Sequence, residues 1–168
     1  CIQYPQIVHT VAMGESLPSI AQLYGVSINQ LYRNNPGLRG TPDIYPGQTL
    51  VISYEEEFRL PKYISGYAYP FIGKDLLQRT LPFLSFLIPF TYGFTPEGNL
   101  VDLDDSTLIN MARAMGVECL MHLSTLTPEG SFSNELSTAI FRNPTARANL
   151  INNVVQTMQQ KGYAGWTW

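Results

Sequence analysis

Between Ile7 and Ile52 the apolar residues switch from strand spacing to helix spacing and back, which allows few folds. Ile7-Val8-His9-Thr10-Val11 reads as a short strand, and Gly14-Glu15-Ser16 turns the chain. Ser16 is a natural N-cap, and Pro18 is tolerated in a first helical turn. Leu17, Ile20, Ala21 and Tyr24 follow the i, i+3, i+4, i+7 stripe of an amphipathic helix. Gly25 can end that helix in the left-handed conformation. Ser27 opens a second helix with Ile28, Leu31 and Tyr32 facing inward, and Asn34-Asn35-Pro36-Gly37 breaks it. Ile44-Tyr45-Pro46-Gly47 forms a turn before a closing strand, Gln48–Ile52. Residues 7–52 therefore read as a small βααβ domain.

Residues 53–62, with Glu55-Glu56-Glu57, Arg59 and Pro61, read as a solvated polar connection. From 63 to 168 strands and helices alternate. Ile64–Tyr69 is a strand candidate, Asp75–Phe83 a short helix, and Leu84–Phe94 an apolar strand. Asp104 or Asp105 caps a helix with Leu108, Met111, Ala112 and Met115 on one face, ended by Gly116. Glu118–Leu126 is a third strand. Asn143-Pro144 opens a longer helix with Leu150, Ile151, Val154, Val155 and Met158 inward, ended by Gly162, and Tyr163–Trp168 starts a fourth strand. Such alternation implies parallel βαβ units, hence an α/β fold.

The first region resembles the LysM family from end to end. The matching residues are Val8-His9-Thr10-Val11, Gly14-Glu15-Ser16-Leu17, Ile20-Ala21, Tyr24-Gly25-Val26-Ser27, Leu31, Asn34-Asn35-Pro36 and Ile44-Tyr45-Pro46-Gly47-Gln48-Thr49-Leu50. The resemblance implies binding of the N-acetylglucosamine backbone of peptidoglycan or chitin. The groove it implies is lined by Gly14, Glu15, Ser16 and Leu17, with Asp43, Ile44 and Tyr45 opposite. An N-acetyl sugar offers amide and hydroxyl groups to backbone partners and an apolar face to Leu17, Ile44 or Tyr45. Leu17 and Ile44 read equally well as core. His9 reads as a solvated strand residue rather than a ligand group.

The second region resembles the start of glycoside hydrolase family 18, of the LysM-bearing, spore cortex-lytic N-acetylglucosaminidase type found in spore-forming bacteria. Gly66-Tyr67-Ala68-Tyr69-Pro70, Thr80-Leu81-Pro82-Phe83-Leu84, Phe90-Thr91-Tyr92-Gly93-Phe94-Thr95-Pro96-Glu97-Gly98, Leu120-Met121-His122-Leu123-Ser124-Thr125-Leu126 and Phe132-Ser133-Asn134-Glu135-Leu136 carry the likeness. It implies the first three to four units of a (β/α)8 barrel with its site at the C-terminal strand ends. The family's D-x-x-D-x-D-x-E signature supplies the acid in a substrate-assisted mechanism. It is not among these residues: Gly162-Tyr163-Ala164-Gly165 leads toward its place and Trp166-Thr167-Trp168 follows. The resemblance thus implies no catalytic acid here and a residual sugar subsite of Tyr67, Tyr92 and Ser124. Tyr67 and Tyr69 are expected on one strand face, and Phe90, Tyr92 and Phe94 on another. The tyrosines serve as well for barrel packing, and His122 reads as barrel filling. Asp102, Asp104 and Asp105 read as a helix cap and first turn.

Charge and composition exclude other classes. The formal net charge is -3 and no Lys/Arg run occurs, which argues against a nucleic-acid surface. Two histidines exclude a multi-histidine metal site, and Cys1 and Cys119 have no metal-ligand or disulfide-framework spacing. No cofactor is implied. Cys119 reads as an inert buried thiol. Cys1 in place of Met marks a mature product or a fragment, and lipid modification there is a minor alternative. Leu81–Phe90 is apolar but too short for a bilayer and is interrupted by Pro82, Ser85 and Pro89, and no signal peptide is present. Three readings stay open: a glycan-binding module beside an inactive barrel remnant; a piece of an active glycosidase; or a half barrel that assembles with a second chain, including self-association. All place the protein at a cell wall, spore cortex or spore coat.

Overall fold

The computed structural model describes residues 6–54 and 63–168. Cys1 and the acidic run Glu55–Glu57 lie outside the described residues. The rest forms two compact units: the chain up to Ile64 together with Gly73–Leu84, and Ser65–Ile72 together with Ser85–Trp168.

In the first unit β1 (Gln6–Thr10) pairs antiparallel with β2 (Thr49–Tyr54), in the register His9 to Leu50, with an irregularity between Ile7 and Val8. Between them run α1 (Leu17–Tyr24) and α2 (Ile28–Asn34). Local chemistry sets the ends of α1. The Ser16 hydroxyl accepts the Ser19 N–H at 3.3 Å, and the Ser19 hydroxyl accepts the Ser16 N–H at 2.9 Å, a reciprocal capping box. Gly25 ends the helix at φ 66°, where a side chain would be strained. Ser27 caps α2 through the Gln30 N–H. Leu17, Ile20, Leu31, Leu50 and Ile52 are almost wholly buried, and each such side chain contributes about 1.5–3 kcal/mol.

Two stripe residues depart from expectation. Tyr24 and Ile28 sit at the last position of α1 and the first of α2, at the margin of the core, and both are partly exposed. α3 (Lys74–Thr80), with a 3-10 turn over Leu81–Phe83, belongs to this unit, although its sequence reads with the second region. The Gln78 side-chain amide donates to the Gly40 carbonyl at 3.0 Å, and Arg33 donates to the Pro82 carbonyl at 2.9 Å. A Cβ at Gly40 would lie 2.6 Å from the Gln78 carbonyl oxygen, so glycine allows this approach.

The second unit contains, in chain order, β3 (Ser65–Ala68), β4 (Phe86–Pro89), β5 (Gly93–Phe94), β6 (Leu100–Val101), α4 (Ser106–Ala114), β7 (Glu118–His122), α5 (Asn134–Arg142), α6 (Pro144–Lys161) and β8 (Gly165–Thr167). The parallel sheet runs β3-β4-β7-β8, each new strand added beside the last. The single strand expected over Leu84–Phe94 is broken. β4 stops at Pro89, and beyond it Tyr92 makes an isolated parallel bridge to Leu123. Gly93 and Phe94 turn to pair antiparallel with β6. A Cβ at Gly93 would lie 2.1 Å from the Leu126 carbonyl oxygen, so only glycine fits there.

α5 was not anticipated from the sequence. Its Leu136 and Ile140 are buried one turn apart, a stripe too short to stand out. α6 starts and ends as expected: the Asn143 side chain accepts from Thr145 and Ala146 N–H groups, and Gly162 closes it at φ 73°. Its buried stripe is Ala146, Leu150 and Val154, whereas Ile151 and Val155 are exposed. Those two line an apolar groove of about 480 Å³ with Phe141, Met158, Trp166 and Trp168. Cys119 is buried, and burial, followed by the charge of Asp105, pushes its thiol up to about 11. Among the described residues no helix is long and apolar enough to cross a membrane.

Candidate glycan-binding sites

The two loops of the expected LysM groove are joined at their roots. Val11 donates its N–H to the Gln48 carbonyl and accepts from the Gly47 N–H, both at 2.8 Å. Gly14, at φ 86°, makes the turn in the first loop. Glu15 then fastens that loop from within: one carboxylate oxygen accepts the Ala12 N–H at 2.7 Å and lies 2.8 Å from His9 Nε2. The other His9 nitrogen, Nδ1, lies 3.1 Å from the Tyr24 hydroxyl. The arrangement fits a tautomer protonated on Nε2, with Tyr24 donating to Nδ1. The Ala12 N–H first, and His9 second, hold the Glu15 carboxyl below its ordinary value. His9 is thus a partly buried brace between β1, the loop and α1, not a solvated strand residue.

The expected groove residues divide by role. Leu17 is wholly buried and supports the loop from the core. The Ser16 hydroxyl is engaged in the helix cap. Of the residues expected on the other loop, Ile44 is half-buried, Asp43 is exposed, and Tyr45 is 66% exposed with its N–H held by the Gln48 side chain at 3.2 Å. Burial first, and the charge of Asp43 second, raise the pKa of Tyr32. Met13, beside Gly14 in the same loop, is almost fully exposed.

In the second unit the C-terminal ends of β3, β4 and β7 bring Tyr67 and Ser124 into one polar and aromatic cluster. The Tyr67 ring meets Phe90 edge-on at 6.1 Å and His122 at 5.3 Å. His122 Nδ1 lies 2.7 Å from the Thr91 hydroxyl, which lies 3.1 Å from the Ser124 hydroxyl. The Ser124 N–H donates to the Tyr92 carbonyl at 3.0 Å. Burial lowers the His122 pKa.

The side chain of Tyr92 sits elsewhere. It is wholly buried, and its hydroxyl donates to Asp105 and accepts from Lys161 Nζ at 2.7 Å. Tyr163 donates to the same Asp105 carboxylate, and Lys161 reaches its other oxygen at 2.9 Å. Phe90, Tyr92 and Phe94 therefore do not share a face: Phe90 joins the Tyr67 cluster, while Phe94 stacks on Trp168. Backbone pairing runs on past Pro89 all the same: the Phe90 N–H donates to the Ala68 carbonyl at 2.9 Å and the Tyr92 N–H to the His122 carbonyl at 3.0 Å. Asp105 corrects a second expectation. It occupies the N-cap position of α4 but makes no side-chain cap bond, its oxygens being taken by Tyr92, Tyr163 and Lys161. Burial, then the bond to Asp105, raises both tyrosine pKa values. For Lys161 burial opposes the charge, but the bonds to Tyr92 and Asp105 outweigh it and the pKa rises. Among the described residues no three His, Cys, Asp or Glu side chains converge on a metal position.

The chain thus carries a βααβ unit followed by a parallel α/β segment. Residues 9–53 match the LysM domain family, so the first unit carries a LysM domain. The strand–helix succession of the second unit resembles part of a family 18 barrel. A chitinase from Chromobacterium violaceum shares that fold over 62% of this chain and 34% of its own, with a TM-score of 0.53 and 17% identity. The spore cortex-lytic enzyme SleL of Bacillus cereus matches 95% of this chain and 38% of its own, with a TM-score of 0.61 and 23% identity. The Bacillus subtilis protein described as "Putative sporulation-specific glycosylase YdhD" is 29% identical over 170 residues, covering 97% of this chain and 39% of that protein. The chain thus spans about two-fifths of the length of these two relatives.

Proposed function

We propose that the protein binds N-acetylglucosamine-containing glycan, peptidoglycan or chitin, through its LysM groove, and that it works at the bacterial cell wall or in the spore cortex or coat. The observation that carries this reading is the pair of loops tied by Val11 and braced by Glu15, with Tyr45 exposed, in a matched LysM domain. Residues 7–52 act as the binding module, 53–62 as a connector, and 63–168 as a barrel segment with a residual subsite. In that subsite Tyr67 and Ser124 offer side chains, and Tyr92 offers only its carbonyl, already bonded to Ser124. The likeness to a sporulation glycosylase and a cortex-lytic enzyme supports the wall or cortex setting.

Titration of the whole chain with N-acetylglucosamine oligomers, followed by amide shifts, tests the reading. Shifts are expected at Gly14–Leu17 and Asp43–Tyr45, and should persist at high salt because the ligand is largely neutral. Their absence at millimolar oligomer would refute the groove.

A second reading, part of a glycosidase, rests on the barrel likeness. The 168-residue chain itself is expected to release no reducing sugar from peptidoglycan, since the family's signature acid is not among its residues and general acid catalysis is worth about 10²–10⁴-fold. Release that tracks the purified chain would overturn the binding-module reading in favour of the enzyme.

A further inference from the structure

Tyr69 and Phe71 form a second surface suited to a sugar ring, outside the LysM groove. Their rings stack with centroids 5.0 Å apart and planes 16° from parallel. Tyr69 is 52% exposed and Phe71 83%. With Tyr69 against one face, so high an exposure leaves the other face of Phe71 open to water. The pair is held in place: the Ile72 N–H donates to the Tyr69 carbonyl at 3.0 Å, closing a turn whose second residue is Pro70. Phe90 meets the Tyr69 ring edge-on at 5.3 Å and also packs on Tyr67, so the platform is continuous with the Tyr67, His122 and Ser124 cluster. Ser65–Ile72 contains no charged residue. An open aromatic face carries partial negative charge, which suits the polarised C–H groups on the apolar face of a pyranose. A neutral surface also matches a largely neutral glycan.

We propose that Tyr69 and Phe71 are a stacking platform for one pyranose ring of an N-acetylglucosamine glycan, an outer subsite that extends the Tyr67 and Ser124 cluster. This rests on the glycan-binding reading and adds a site to it. Phe71 is so exposed that its removal leaves the core intact, and the loss of one well-formed aromatic contact weakens binding by about 2- to 10-fold.

The test is the same amide-shift titration with a chitin oligosaccharide, on the whole wild-type chain and its Phe71→Ala and Phe71→Trp variants. Expected are ligand-dependent shifts over Tyr67–Ile72 and at Ser124, weakened several-fold by Phe71→Ala and restored by Phe71→Trp, with the shifts over Gly14–Leu17 unchanged in all three. Shifts confined to the LysM loops would overturn the platform and leave the LysM reading standing. Shifts near Tyr69 that ignore Phe71→Ala would overturn it as well, since they would belong to Tyr67 alone. Silence at both places would overturn both readings.

Discussion

Asn35 carries three hydrogen bonds on one side chain. Its amide nitrogen donates to the Leu31 and Val51 carbonyls and its oxygen accepts the Val51 N–H, each at 2.8 Å. It thus acts as a strand partner for β2 and ties that strand to the end of α2. Its neighbour Asn34 makes one comparable bond, to the Ile52 carbonyl. At about 0.5–1.5 kcal/mol net per bond, Asn35→Ala should cost about 2–4 kcal/mol and Asn34→Ala about 1. At about 1.4 kcal/mol per tenfold, the Asn35→Ala loss speeds exchange through opening of the unit by about 30- to 1,000-fold. Native-state hydrogen exchange at the Ile20 and Leu31 amides, both helical and in buried residues, reads this directly. Asn35→Asp is a sharper probe. It keeps an acceptor for Val51 but loses both donors and sets a carboxylate against two carbonyls, so it should be no milder than alanine. If Asn35→Ala accelerates exchange no more than Asn34→Ala, the strand-partner role is refuted.

Three further outcomes are expected. The Glu15 carboxyl has a lowered folded pKa, so its contribution to the loop is full above the unfolded value of about 4.3 and is lost as pH falls through the lower folded value; oligomer affinity should therefore hold from neutral pH to about pH 5 and collapse in stronger acid, and Glu15→Gln should weaken binding already at neutral pH. Asp105→Ala strands Lys161, Tyr92 and Tyr163 around a buried vacancy, and breaking such a pair costs about 3–5 kcal/mol; both tryptophans lie in that unit, so their fluorescence during urea unfolding reports it, and an unchanged midpoint would refute the network's role. The groove of Phe141, Ile151, Val155, Trp166 and Trp168 should make the 168-residue chain self-associate in sedimentation, and Val155→Glu should shift it toward monomer; a monomer at all concentrations would show that the face needs no cover.

What the sequence determined by itself is local. Ser16, Ser27, Asn143, Gly25 and Gly162 set helix ends where expected, because capping depends on groups within a few residues of the cap. The βααβ order and the strand–helix alternation were legible for the same reason: periodicity reports which face of an element is apolar. Tertiary structure decided what depends on distant partners. Asp105 reads as a cap, but Lys161, 56 residues away, and Tyr163 claim its oxygens. Glu15 reads as a groove wall, yet His9 and the Ala12 N–H turn it inward. The strand through Leu84–Phe94 reads as continuous, but β4 ends at Pro89, and Gly93, crowded by Leu126, pairs antiparallel with β6 instead. Lys74–Thr80 reads as part of the second region, whereas Gln78 bonds to Gly40 in the first unit. A hydrogen bond is satisfied by whatever group comes within about 3 Å, and only the folded chain sets which groups do.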